Sequence, residues 1–312
     1  MRLRLIALVA LVGCGSAVSV TPRPETAPAR GRLEAEQGPP GEPADPPSLE
    51  GRVAWHDGFD AKGWNALLNR GSTGGRDPSA LAWGHSQMQG EYSARLVTSP
   101  RRAGRRAIRF EWRDGLPIEN NTSKKAFLWA PPAPQPDVER WWGFSMFVPS
   151  HGMKRDTKAE ILAQWHGTRD ERLGEAPRNP AISLGVKRDN LQLSWIYDER
   201  RVTPPRFRDW DRGTVRFGEL PKDRWIDFVF HIRWDPFGDG LLEAWMDGKK
   251  QVDAEDIPLG FNDDKGPFFG IGIYKWPAES DHRKRVVYFD EVRCAGPDGS
   301  YEQVVPRSSE GG

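Results

Sequence analysis

Apolar and polar residues alternate with a period of two through much of the chain beyond residue 100. In Arg105–Arg113, Ile108, Phe110 and Trp112 share one face, and Arg109, Glu111 and Arg113 the other. Trp225–Trp234 repeats this through Ile226, Phe228, Phe230, Ile232 and Trp234. Trp141–Val148 is a dense aromatic run, and Phe268–Lys275 and Val286–Cys294 are further strand-like runs. Two hairpins are expected. Ala181–Val186 and Leu191–Tyr197 flank Lys187-Arg-Asp-Asn190, and Leu241–Met246 and Gln251-Val252 flank Asp247-Gly248. Asn, Asp and Gly favour such turns because they tolerate positive φ. One short helix is expected at Asp156–Glu160. Many short strands joined by turns predict an all-β, antiparallel sandwich.

The same period places chemistry on two strands. In Glu160-Ile-Leu-Ala-Gln-Trp-His-Gly167, Ile161, Ala163 and Trp165 point toward a core, and Leu162, Gln164 and His166 point away. An amide and an imidazole then stand about 7 Å apart on one face. In Gly270-Ile-Gly-Ile-Tyr-Lys275, Ile271 and Ile273 face the core, and Gly270, Gly272 and Tyr274 share the other face. The two glycines are expected to leave a floor bare of side chains, where a ligand can approach the backbone. These residues also suit a structural histidine and a tight packing spot with a structural tyrosine. As a functional set, they fit β-elimination of a uronic acid polysaccharide. That reaction needs a base for the C5 proton, a group that neutralises the adjacent carboxylate, and an acid for the leaving oxygen. His166 and Tyr274 can move the protons and Gln164 can bind the carboxylate. Arg109, Arg113, Lys124, Lys125 and Lys275 are candidate cations. Trp165 and His231 are further candidate substrate contacts, and His85 and His282 are, with His231, further candidates for groove residues.

The chain ends differ from this middle. Arg2 and Arg4 precede an apolar run, Leu5–Val12, too short to span a bilayer. It ends Leu11-Val12-Gly13-Cys14, which resembles the bacterial lipobox. Residues 1–13 are thus expected to be a signal peptide and Cys14 a lipidated N-terminus. Gly15 rather than Asp follows, which resembles sorting to the outer membrane. A lipid-anchored place in the bacterial cell envelope is expected, facing outward or into the periplasm. Residues 14–50 are rich in Pro, Ala, Glu and Gly without an apolar period, so a disordered tether is expected. The folded domain is placed at 51–306 and a polar tail at 307–312. In the 312 residues, 45 Lys and Arg balance 44 Asp and Glu, which gives no argument for nucleic acid binding. With Cys14 in the leader, Cys294 has no partner, and no disulfide is expected.

Several stretches resemble the heparin lyase I type of polysaccharide lyases and their relatives, the glucuronan lyases. They are Trp141-Trp-Gly-Phe-Ser-Met-Phe-Val-Pro149, Gln164-Trp-His-Gly167, Pro180-Ala-Ile-Ser-Leu184, Trp225–Trp234, Glu243-Ala-Trp-Met-Asp-Gly248, Gly272-Ile-Tyr-Lys275 and Tyr288-Phe-Asp-Glu-Val-Arg293. The resemblance implies a β-jelly roll with a concave substrate groove and endolytic β-elimination of an acidic polysaccharide. It places the catalytic histidine at His166 and the catalytic tyrosine at Tyr274. Two positions depart from it. Relatives often carry Lys where Gly270 stands, and an Arg-Ala-Glu pattern where Ser123-Lys-Lys-Ala-Phe127 stands. The chemistry requires no cofactor. The resemblance also implies a possible structural calcium, for which Asp57 and Asp290 are candidate ligands because carboxylate oxygens suit that ion.

Two other functions compete. A glycoside hydrolase on the same fold needs two carboxylates about 5–9 Å apart, and no such strand pattern is present. A non-catalytic carbohydrate-binding lipoprotein would use the same fold with stacking tryptophans. A monomer is expected.

Overall fold

The computed structural model describes residues 59–60, 83–116, 124–133, 136, 138–204 and 212–308, and the backbone alone of 53–57 and 211. The leader, Cys14 and the Pro-rich stretch lie outside the described residues, as does the side chain of Asp57. The strands are β1 (Val53–Asp57), β2 (His85–Gln87), β3 (Ala94–Val97), β4 (Ala107–Arg113), β5 (Lys125–Trp129), β6 (Glu139–Phe147), β7 (Glu160–Thr168) and β8 (Ile182–Lys187). They continue as β9 (Asn190–Asp198), β10 (Asp211–Glu219), β11 (Trp225–Arg233), β12 (Asp235–Met246), β13 (Lys249–Phe261), β14 (Lys265–Tyr274) and β15 (Lys284–Ala295). A short helix, α1 (Tyr301–Val304), follows.

The strands form the two layers of a jelly roll. One layer runs β3-β4-β15-β6-β11-β12-β13, with β1 also on β15. The other runs β2-β5-β14-β7-β8-β9, with β10 also on β9. Pairing is antiparallel except where the end of β13 joins β9 in parallel, through Gly260–Tyr197 and Phe261–Asp198, and closes one layer onto the other. Aromatic rings stitch the layers together. Trp165 of β7 meets Phe230 of β11 at 4.8 Å, and Phe269 of β14 meets Trp142 of β6 at 4.5 Å. Such pairs add roughly 1 kcal/mol each beyond the area they bury.

Both expected hairpins form. Arg188 and Asp189 have φ of 54° and 63°, and Asp247 and Gly248 have φ of 49° and 76°, as two-residue turns of the mirror-image type require. The expected helix at Asp156–Glu160 does not form. Asp156 lies in a loop, where its carboxylate accepts the Lys158 backbone N–H at 2.8 Å, and Glu160 already begins β7. Cys294 is a free, buried thiol, pushed up to about 12 by burial.

Two irregularities shape the second layer. Between Ile161 and Ala163 the register of β7 against β8 shifts, so Leu162 is an extra residue. Between Ile271 and Tyr274 the register of β14 against β7 shifts as well. Gly272 takes φ of 141° there, and a Cβ on it would collide with the Ala126 carbonyl oxygen. Only glycine fits that position.

Candidate active site

In-register partners across a sheet share a face, so the pairings define rows. One row is Leu128–Ile271–Ala163–Leu184–Leu193–Val215, running from β5 to β10. Its first five members are fully buried in the core. The rows on either side therefore occupy the open face. The first is Lys125–Tyr274–Ile161–Gly185–Gln192–Arg216. The second is His85–Trp129–Gly270–Gln164–Ser183–Ser194–Thr214.

The bulge at Leu162 corrects the simple alternation in β7. Leu162, not Ile161, belongs to the core cluster, and Ile161 stands on the open face opposite Tyr274. Beyond the bulge the alternation holds. Gln164 and His166 share the open face, and Ala163 and Trp165 face inward.

The floor around Gly270 is not bare. A Cβ there would meet the rings of Phe127 and Trp129, each at 2.5 Å. Gly270 lets the Trp129 ring lie close over β14, and a longer side chain at 270 would run into that ring. The positive charge comes from the neighbouring strand instead. Lys125 pairs directly with Tyr274, and its ammonium lies 4.6 Å from the Tyr274 ring centre and 5.2 Å from that of Trp129. It donates to Gln87 Oε1 at 2.9 Å, and Trp129 Nε1 donates to the same oxygen at 3.0 Å. Lys125 is 7% exposed and has no carboxylate partner among the described residues. Burial, then repulsion from Lys124, pushes it down to about 8.

Gln164 is fully buried, and neither its amide nitrogen nor its oxygen has a hydrogen-bond partner. Most buried polar groups are paired, so an amide left open on both ends is a ready binding element. His166 stacks on Phe268 at 5.2 Å and meets the edge of Trp129 at 6.4 Å. Its Nδ1 lies 2.9 Å from the Gly167 carbonyl oxygen and its Nε2 3.1 Å from that of Arg178. Burial outweighs the pull of these carbonyls and pushes the imidazole down to about 4. The ring is therefore neutral near pH 7, with one nitrogen free of a proton. Burial raises the Tyr274 phenol, so it keeps its proton at that pH.

The other sequence candidates fall elsewhere. Lys275 is fully buried and donates to Asp156 Oδ2 at 2.8 Å and to the Lys158 carbonyl at 2.9 Å. It closes an ionic network with Glu160 and Arg285 and is not a groove cation. Burial opposes ionisation of Asp156, but Lys275 and Ser280 together hold its carboxyl down at about 2. Arg109 and Arg113 lie on β4, in the other layer, and both pair with Glu111. Trp165 is 1% exposed between the layers, so it cannot touch substrate. His231 lies on β11, also in the other layer, bonded to Glu243 at 2.8 Å and Glu139 at 2.7 Å and stacked on Trp141. His85 stacks on Trp129 in the second open row. His282 is a loop residue facing the Arg155 carbonyl.

Of the two candidate calcium ligands, only Asp290 has a described side chain. Its Oδ2 accepts the backbone N–H groups of Arg102 and Ala103, and its Oδ1 accepts that of Glu291. Burial raises this carboxyl to about 7 against those donors. These three bonds make it the anchor of a loop. Asp170, Glu175 and Asp263 come close enough together to suit a metal, but Arg178 and Arg201 already pair with them.

Lys125 was among the candidate cations, and Gln87 and Trp129 are the site residues that strand parity missed. The signal for Trp129 was present, because Lys125, Phe127 and Trp129 alternate with the core residues Ala126 and Leu128.

A family model described as Polysaccharide lyase matches residues 79–293. Among solved structures, an endo-β-1,4-glucuronan lyase from the fungus Trichoderma reesei aligns at a TM-score of 0.63 with 16% identity, covering 73% of this chain and 95% of that one. A PL-14 alginate lyase from Aplysia kurodai aligns at 0.53 with 12% identity, covering 79% of this chain and 100% of that one. No curated protein matches the chain.

Proposed function

The chain belongs to the polysaccharide lyase family, and from that premise we propose that it cleaves a uronic-acid polysaccharide endolytically by β-elimination on the open face of the β14–β7 layer. The observation that carries the proposal is the directly opposed pair of Lys125 and Tyr274: a buried ammonium without an anion, beside a protonated phenol. A uronate carboxylate supplies the missing anion. Gln164, whose amide is open at both ends, binds the same group and stabilises the enolate that develops from it.

The base for the C5 proton is the unprotonated nitrogen of neutral His166, which must turn from the backbone carbonyl it faces, that of Gly167 or Arg178, to take that proton. The electron pair of that C–H bond forms the C4–C5 double bond, and the bond from C4 to the leaving oxygen breaks. Tyr274 gives its proton to that oxygen. Reprotonation of Tyr274 and deprotonation of His166 by solvent complete the cycle. Glu160 is held by Arg285, so it is not available as a hydrolase carboxylate.

The lipobox-like Leu11–Cys14 fits an enzyme held at the cell envelope, where it meets polymers too large to enter the cell. A uronic-acid substrate is in keeping with the two similar structures, a glucuronan lyase and an alginate lyase. The test is ultraviolet absorbance of the unsaturated product, with glucuronan, alginate, heparin and hyaluronan as substrates. A rise with the wild type that Tyr274→Phe abolishes supports the proposal. New reducing ends without a rise in absorbance would overturn it.

A further inference from the structure

Several of the described arginines are paired with carboxylates, as Arg178 with Glu175 and Asp263, Arg201 with Asp170, and Arg285 with Glu160. Arg216 is not. It is exposed on β10 and has no carboxylate partner among the described residues. Its neighbours Val215 and Phe217 pack against the core, so its side chain stands on the open face. Its place on that face is fixed by register. Arg216 pairs with Gln192, Gln192 with Gly185, Gly185 with Ile161, and Ile161 with Tyr274. Lys125 and Arg216 are thus the two charged ends of one continuous row across six strands.

We propose that Arg216 is a distal subsite that binds the carboxylate of a second uronate of the same polysaccharide chain, and that this row is the track along which the chain lies. The inference rests on the lyase function above and adds the substrate's direction and reach. The distance from Tyr274 to Arg216 is four strand spacings, about 19 Å. A pyranosyl unit in an extended chain is close in length to one strand spacing of about 4.8 Å, so each strand crossed accommodates about one sugar. Gly185 adds no side chain midway, which leaves the track clear. Beside it run the Ser183, Ser194 and Thr214 hydroxyls, suited to sugar hydroxyls; Ser194 and Thr214 lie 3.1 Å apart. Arg216 carries a planar fork of donors that matches a carboxylate. A polymer of alternating or continuous uronates presents such a group at that reach, and a short oligomer bound at Tyr274 does not.

The experiment measures binding of glucuronate oligomers of three and six units by calorimetry, in a Tyr274→Phe background that keeps them intact. Arg216→Ala is expected to weaken the six-unit oligomer by about three- to tenfold at low salt, leaving the three-unit oligomer unchanged. Arg216→Lys should restore part of the loss. Unchanged affinity for the six-unit oligomer, or an equal loss for both lengths, would overturn the subsite. Wild-type product formation is read separately. Its absence would remove the lyase function while the length-dependent binding still decides the role of Arg216.

Discussion

Lys125 is built for a charge it does not have. Its ordinary value of 10.5 is pushed down to about 8 in the fold. That gap corresponds to roughly 3 kcal/mol by which the interior disfavours the ammonium. In the proposed site, a substrate carboxylate beside Tyr274 would recover that energy when it binds and when its enolate forms. Lys125→Met should therefore lower kcat/KM by about a hundredfold, since each 1.36 kcal/mol is a factor of about ten. The same substitution removes an uncompensated buried charge, so the melting temperature should hold or rise. The sign follows from linkage. Between about pH 8 and 10.5 the unfolded chain holds a proton that the folded chain has released, so wild-type stability rises across that window. Lys125→Met should lack this rise. In activity, the free-enzyme kcat/KM should fall as pH climbs through about 8, and Lys125→Arg should move that limb upward. The assay is product absorbance against pH, paired with calorimetric melting. Near-normal activity in Lys125→Met, or joint loss of activity and melting temperature, would refute the charge role.

His166 should give an acid limb, with kcat/KM falling as pH drops through about 4. His166→Ala should lose about a hundred- to ten-thousandfold in rate, measured by initial velocities. Because its folded value lies below the unfolded 6.5, His166 should also make wild-type stability decline between about pH 6.5 and 4, and the alanine variant should show less of that decline in denaturant midpoints. Lys275→Met should destabilise by about 3–5 kcal/mol in urea unfolding, because Asp156 is left buried without its ammonium. Gly272→Ala should cost at least about 1–3 kcal/mol from backbone strain, with the clash against the Ala126 carbonyl on top, and circular dichroism melting would read it.

Period-two alternation made the long, one-sided strands legible. Trp225–Arg233 and Ile108–Trp112 declare their inner faces residue by residue, and the two tight turns declare themselves by Asp, Asn and Gly. What stayed hidden depends on register. β10 carries only two apolar residues, Val215 and Phe217, so its pattern is too thin to read without β9 beside it. The orientation of Leu162 turns on one extra residue that no local preference announces. Lys275 looks like a groove cation because it follows Tyr274. Only the long-range approach of Asp156 and Arg285 shows that it is sealed inside. In the same way Arg109 and His231 alternate correctly but belong to the other layer, and strand parity cannot tell which layer a strand joins.

The two bulges have a geometric consequence. On β8, β9 and β10 the two open rows are two residues apart, as Ser183 and Gly185 show. On β7 they are three apart, from Ile161 to Gln164, and on β14 and β5 they are four apart, as Gly270 and Tyr274 show. The sheet surface behaves like a crystal with a dislocation: lattice lines that run close together at one side are forced apart at the other by inserted half-rows. A regular pleat sets same-face neighbours about 7 Å apart along a strand. At the dislocated side that interval roughly doubles, so the lattice opens at Lys125 and Tyr274. The inserted places are taken by Phe127 and Gly272, so the two rows that the proposed reaction would use, Lys125–Tyr274 and Trp129–Gly270, are held apart at one side of the sheet and drawn together at the other.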